Sequence, residues 1–154
     1  MQARLKSPVT PDAMKVLQSL AALTQNSGLP KRTLGLIHLR ASQINGCAVC
    51  LDLHRRHQLG DETQERLFAV SAWRDAPFFT DAERAALALT ESVTRLSDRE
   101  DPVPDAVWNE AARHYDERGL ASLVLAIATT NVFNRLNVAT RQIAGPQPWE
   151  ASRA

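Results

Sequence analysis

The chain has 154 residues and a net charge of +1, with 44% apolar and 23% charged residues. That length suits one domain with a core of its own, and so even a balance offers no basic field for nucleic acid or an anionic membrane. No uncharged apolar run approaches the roughly 20 residues of a bilayer span. The opening "MQARLKSPVTPDAMK" lacks the apolar core of a signal peptide, so the expected location is the cytoplasm.

Every periodic segment reads as helix, and none alternates like a strand. Thr10, Pro11 and Asp12 form a cap-plus-proline start. The helix that follows sets Met14, Leu17, Ala21 and Thr24 along one side and stops at Gly28. After Pro30, "KRTLGLIHLRASQI" predicts a second helix with Leu34, Ile37 and Ala41 on a common face, broken by Asn45-Gly46. A third is expected from about Cys47 to Gly60.

Asp61 with Gln64, and Thr80 with Glu83, have capping-box spacing and predict two further helices, "ETQERLFAVSAWRDA" and "DAERAALALTESVTRL". The "PFF" between them is expected to pack inward. Pro102 and Pro104 precede "DAVWNEAARHY". The last helix, from about Gly119, is apolar around much of its circumference, which suits a core centre or a subunit interface. From Gly145 the tail reads as irregular. The predicted fold is an all-α, single-domain bundle of about seven helices.

The chemistry concentrates in "RASQINGCAVCLDLHRRHQLG", which holds both cysteines, Cys47 and Cys50, followed by His54 and His57. Four readings compete: a metal site, a redox dithiol, a plain disulfide, and coincidence. A zinc site drawn from this helix alone fails on distance. At about 1.5 Å per residue, Cys47 and His57 lie roughly 15 Å apart, whereas zinc ligands sit about 2.0–2.3 Å from the ion. A purely structural bridge would close a minimal loop and stabilise little, and reducing cytoplasm disfavours it.

The dithiol uses the same spacing well. Cys47 at a helix start lies near unpaired N–H groups and the positive end of the dipole, which lower a thiol pKa. Cys50 follows by three residues and His54 by four more, so all three share one face. An imidazole there can take a thiol proton or stabilise a thiolate. The neighbours of His57 (Arg55, Arg56 and Gln58) suggest a solvated face, so His57 reads as a bystander.

"LRASQINGCAVCLDLH" resembles the signature of the carboxymuconolactone decarboxylase superfamily, on its alkylhydroperoxidase D-like branch. The likeness continues through "AWRDAPFFTDAERAALALTESVTRL" and "NRLNVATR", from about Leu29 to Arg141. It implies an all-helical trimer or hexamer that reduces hydroperoxides without a bound cofactor or metal. Re-reduction would come from an external dithiol or lipoylated donor, with a peroxiredoxin as a further partner class. Nucleic acid and membrane are not implied as partners.

By position, the resemblance makes Cys50 the peroxidatic thiol, Cys47 the resolving thiol and His54 the histidine of a proton relay. Two relay members have no counterpart. The family's glutamate, twelve residues before the first cysteine, falls on Gly35, and its histidine before the second cysteine falls on Val49. His38 and Glu91 are the auxiliary candidates. His38 otherwise reads as an ordinary amphipathic surface residue, and Glu91 as a salt-bridge residue. Trp73, Phe78 and Phe79 read as core or pocket wall. The superfamily's decarboxylase activity needs no cysteine pair, so the dithiol counts against it, and a redox-responsive binding protein is the alternative outside enzymes.

Overall fold

The computed structural model describes residues 2–57 and 62–147, with His57 described by its backbone alone. Among the described residues there are seven α-helices and no strand: α1 (Pro11–Gln25), α2 (Lys31–Ile44), α3 (Ala48–His57), α4 (Gln64–Ala69), α5 (Asp81–Thr94), α6 (Asp105–His114) and α7 (Glu117–Ala139). The all-α class is as the periodicity predicts.

Several boundaries differ from expectation. The stop at Gly60 and the capping residue Asp61 lie outside the described residues. The observed N-cap of α4 is Thr63, whose side chain accepts from the Arg66 amide. Only Gln64–Ala69 of the long fourth helix is α-helical, and Val70–Ala72 tightens into a 3-10 turn. The last helix starts two residues before Gly119, because Asp116 caps it by accepting from the Gly119 amide at 2.7 Å. The Thr80–Glu83 capping box is present in full.

Three helices make the centre: α2 packs against both α5 and α7, and α5 also packs against α7. One apolar cluster joins Leu34 and Ile37 of α2, Ala85, Ala86 and Leu89 of α5, Ala111 of α6, and Leu120, Leu123 and Ile127 of α7. A second joins Leu36 and Leu39 of α2 with Val70, Trp73, Phe79 and Leu87. The second helix is therefore buried on two sides rather than on the single predicted face, because neighbours flank it. Trp73 and Phe79 are core residues, whereas Phe78 stands 36% exposed and does not pack inward as expected.

The seventh helix is long and apolar enough to cross a membrane by length and composition, more than the sequence reading allowed. Here it is a packing centre, touching α1, α2, α3, α5 and α6. The first helix lies on it through the partly buried side that carries Met14, Leu17, Ala21 and Thr24.

Glu91 is the electrostatic hub of α5. It is 3% exposed, and Arg40 donates to it from Nε at 2.8 Å and from a terminal guanidinium nitrogen at 2.7 Å. The Trp73 indole donates to the same oxygen at 2.9 Å, and Arg74 reaches the other at 2.8 Å. Burial pushes this carboxyl up, but the hydrogen bonds from Trp73, Arg74 and Arg40 outweigh it and hold the group below the usual carboxylate range. Glu83 behaves alike: burial raises it, and hydrogen bonds from Arg66 and the Thr80 amide bring it down.

Both shifts have the same linkage sign. A lowered folded-state pKa adds stability above the ordinary value of 4.5 that is lost as pH falls through the folded value. Removing one partner of a buried ion pair costs about 3–5 kcal/mol, against about 1 kcal/mol for a helix cap. Glu91→Gln is therefore expected to lower the unfolding free energy by about 3 kcal/mol, and Thr80→Ala by about 1 kcal/mol. Urea midpoints at neutral pH check the order. A midpoint series taken downward from pH 5 should fall for the wild type and less steeply for Glu91→Gln.

Candidate functional site

The dithiol sits where α2 hands over to α3, and the geometry of that junction follows from the sequence "SQINGC". Asn45 closes α2 and Gly46 adopts φ +64°, the left-handed region that favours glycine. The Cys47 amide donates to the Ser42 carbonyl at 3.0 Å and the Gly46 amide to the Gln43 carbonyl at 3.3 Å. Those two bonds define a Schellman ending. It turns the chain so that Cys47, the residue that terminates α2, immediately precedes α3.

Cys47 also acts as the N-cap of α3. Its sulfur accepts the Cys50 amide at 3.3 Å, and its carbonyl accepts the Leu51 amide at 3.0 Å. A side chain accepting from the third residue of a helix is the N-capping arrangement, here made by sulfur. Cys47 and Cys50 form a disulfide, with Cα atoms 5.3 Å apart. Both are buried, 1% and 2% exposed, in a small apolar cluster with Val49 and Leu53. Among the described residues no group of three or more His, Cys, Asp or Glu side chains is placed to hold a metal ion.

His54, one turn beyond Cys50, is 2% exposed. Its ring stacks on that of His38 from α2, with centroids 5.2 Å apart and planes 15° from parallel. His38 is therefore not the amphipathic surface residue that periodicity allows. Its Nε2 lies 3.3 Å from the Cys50 carbonyl oxygen, to which it donates in the Nε2–H tautomer. Desolvation, then the proximity of His54, lower His38 from 6.5 to about 4, against a smaller upward pull from the Cys50 carbonyl. At pH 7 it is a neutral ring.

Gly35 explains why the imidazole can sit there. A Cβ at position 35 would lie 3.3 Å from Cε1 of His54 and 3.8 Å from its Nε2. The first distance is already tight for one carbon. A side chain at position 35 would therefore begin in tight contact with the edge of the His54 ring. The place of the relay histidine is likewise filled by the apolar Val49, 5% exposed against the cysteines.

The sequence candidates thus divide. Cys47, Cys50, His54 and His38 come together at the α2–α3 junction. Glu91 is instead held by Arg40, Arg74 and Trp73, so its partners are structural cations and an indole rather than the imidazole pair. The side chain of His57 lies outside the described residues. One residue that the sequence reading missed is Asn137 of α7, whose Nδ2 donates to the Cys50 sulfur at 3.4 Å. The signal was available: Asn131, Asn134 and Asn137 recur at helical spacing along a predominantly apolar helix.

The chain is similar in sequence and in fold to known proteins. The model of the "Carboxymuconolactone decarboxylase family" matches residues 11–92, from α1 through most of α5 and including both cysteines. The chain belongs to this family. The uncharacterized protein YdfG of Bacillus subtilis (strain 168) is 35% identical over 133 residues, covering 85% of this chain and 88% of its own. The uncharacterized protein YnjA of Escherichia coli (strain K12) is 32% identical over 106 residues, 68% of this chain and 56% of its own.

Among solved structures, ATU0492 of Agrobacterium tumefaciens is a protein of unknown function provisionally described as the antioxidant defence protein AhpD. It matches with a TM-score of 0.87 at 31% identity, over 94% of this chain and 99% of its own. The debrominase Bmp8 shares the fold at a TM-score of 0.78 and 21% identity, over 91% of this chain and 75% of its own.

The stacked pair carries a pH signature for this family member. A histidine with a lowered folded-state pKa favours folding as the neutral ring, so stability is full above 6.5 and is lost as pH falls toward about 4. The His38 ring resonances should titrate with a midpoint near 4 by NMR. His38→Gln should flatten the stability loss between those two values, and a His38 midpoint near 6.5 would contradict the desolvated stack.

Proposed function

We propose that this protein is a thiol-dependent peroxidase or disulfide oxidoreductase whose working group is the Cys47–Cys50 dithiol. The observation that carries the reading is the disulfide itself, closed across the first turn of α3 with a buried histidine one turn behind it. The family membership and the antioxidant description given to the Agrobacterium tumefaciens protein support it.

In the proposed cycle the Cys50 thiolate attacks one oxygen of a hydroperoxide. An S–O bond forms and the O–O bond breaks, leaving a sulfenic acid, while the departing alkoxide takes a proton and leaves as alcohol. The Cys47 thiol then displaces water from the sulfenic sulfur and closes the disulfide. An external dithiol or a lipoylated donor supplies two electrons and two protons to reopen it. His54 is the proposed proton acceptor for Cys50, and His38 is its neutral stacking partner. Without a charged neighbour in that stack, a proton on His54 meets less repulsion. The same dithiol could serve a peroxiredoxin by passing electrons on.

A second reading has its own support. Both sulfurs are nearly inaccessible in the closed state, which also suits a redox-responsive protein whose dithiol changes assembly or partner binding with little turnover. A homotrimer or homohexamer is part of the proposal. The outer side of α7 leaves Leu125 at 41% and Val132 at 37% exposed, two turns apart on one stripe.

A coupled assay with organic hydroperoxide and a dithiol donor separates the readings. Wild-type protein should consume peroxide, and Cys50→Ser should abolish turnover. Wild-type activity retained by Cys50→Ser would refute the mechanism, while background consumption joined to a redox-dependent elution profile would favour the assembly reading. Because a missing proton-transfer group costs about 10²–10⁴-fold, His54→Ala should slow turnover by at least about a hundredfold. Light scattering should give an oligomer, and Leu125→Glu with Val132→Glu should shift it toward monomer.

A further inference from the structure

The two sulfurs do not share the same electrostatic support. Cys47 receives a backbone N–H at the head of α3, and that donor is intrinsic to helix capping. Cys50 receives the Asn137 side-chain amide, from a helix 87 residues away in sequence, at 3.4 Å. A disulfide sulfur is a weak acceptor. Hydrogen bonds to an ionised group are shorter and roughly twice as strong as neutral ones. A donor aimed at Cys50 therefore favours the reduced, ionised sulfur over the oxidised one.

The aim of that donor is fixed by two bonded residues below it on the same helix. Asn45 Nδ2 donates to the Oδ1 atoms of Asn131 and Asn134, both at 2.9 Å, and Asn134 Nδ2 donates to the Ser42 hydroxyl at 3.0 Å. Asn131 in turn donates to Thr94 Oγ1 at 3.1 Å and to the Ile127 carbonyl at 2.9 Å. Residues 131, 134 and 137 follow one another at helical spacing, so the register that locks the first two against the end of α2 also delivers the third to the dithiol. Asn137 itself is half-buried while the sulfur it meets is 2% exposed. On the sulfur's side little water competes for the bond.

We propose that the Asn137 carboxamide is the hydrogen-bond donor that stabilises the Cys50 thiolate and sets the dithiol in favour of its reduced form. It rests on the proposed role of Cys50 as the attacking thiol. Asn137 touches the reacting sulfur and is a catalytic residue in that scheme. Its amide is in place before the thiol ionises, so no reorganisation is needed when charge appears.

The test uses the thiol alone, without peroxide. In a Cys47→Ser background the serine oxygen can still cap α3, and the pH dependence of iodoacetamide alkylation reports the pKa of Cys50. Asn137→Leu keeps the volume and removes the donor, and should raise that pKa by about one unit, about a tenfold loss of thiolate at a given pH below it, because a charge-assisted hydrogen bond is lost. Asn137→Ala should raise it less, because water can enter and donate in place of the amide.

In the otherwise wild-type chain, equilibration with glutathione at a pH above both thiol values should shift about tenfold toward disulfide in Asn137→Leu, about 30 mV more negative. An unchanged Cys50 pKa in both variants overturns the proposal, as does an unchanged glutathione equilibrium. Neither measurement contains peroxide, so failure of the peroxidase reading would be seen in the coupled assay and failure of this one here.

Discussion

Asn134 has no solvent exposure, and a buried carboxamide must satisfy its donors and acceptor inside the protein. Its partners are Asn45 and Ser42, both at the end of α2. Apolar packing between α2 and α7 would tolerate a range of rotations and slides, because dispersion contacts are individually small and non-directional. The amide bonds do not tolerate them, since each partner lost leaves a buried polar group costing about 1–3 kcal/mol. The α2–α7 register is therefore set by polar groups, and the last residues of α2 are held at one place along α7. Gly46 and Cys47 follow directly. The position of the dithiol is a consequence of where Asn131 and Asn134 occur on the core helix.

Charge is arranged differently. The two buried carboxylates with ion pairs both lie on α5, where Glu91 binds Arg40 and Arg74, and Glu83 binds Arg66. The groups directly on the sulfurs are neutral: a backbone amide on Cys47 and a carboxamide on Cys50. Full charges next to the thiols would shift thiol pKa values more strongly, yet each would need its own desolvated partner. Fixed dipoles supply a smaller effect without that cost. His38 fits the pattern, because burial and the adjacent ring keep it neutral at ordinary pH.

Much of this was legible in the sequence. Helical periodicity gives the class, the Thr80–Glu83 pair locates the start of α5, and Asn45-Gly46 marks the break before the cysteines. Spacing alone placed Cys47, Cys50 and His54 on one face, because a three- or four-residue step means adjacency on any α-helix. Glu91 was harder. An acid in an apolar stretch announces a buried carboxylate but not its partner, and Arg40 lies 51 residues away in sequence. For Asn137 the asparagine spacing on the core helix was visible but its partner was not, because the pairing with Cys50 spans 87 residues and depends on the α2–α7 register. The fourth helix was overextended because its apolar pattern continues through Val70–Trp73, where the chain tightens so that Trp73 can reach Glu91.

Position 35 shows how an apparent gap can be a packing solution. Read as a string, Gly35 is a place where the family's relay pattern has lost its carboxylate. In three dimensions it is where α2 and α3 approach closely enough for His54 to lie against backbone, 3.3 Å from where a Cβ would stand. A Cβ there would meet the imidazole edge closely enough that the ring would have to give by a few tenths of an ångström. Apolar Val49 likewise fills the other relay position. What the α2–α3 contact holds instead is a second imidazole, three residues along α2 from the glycine, stacked on the first. The glycine and His38 thus meet the same ring: His54 lies against the backbone at position 35 and stacks on the imidazole three residues along. Any proton leaving Cys50 toward His54 enters a site that holds two stacked imidazoles, with Glu91 of α5 already committed to its arginines.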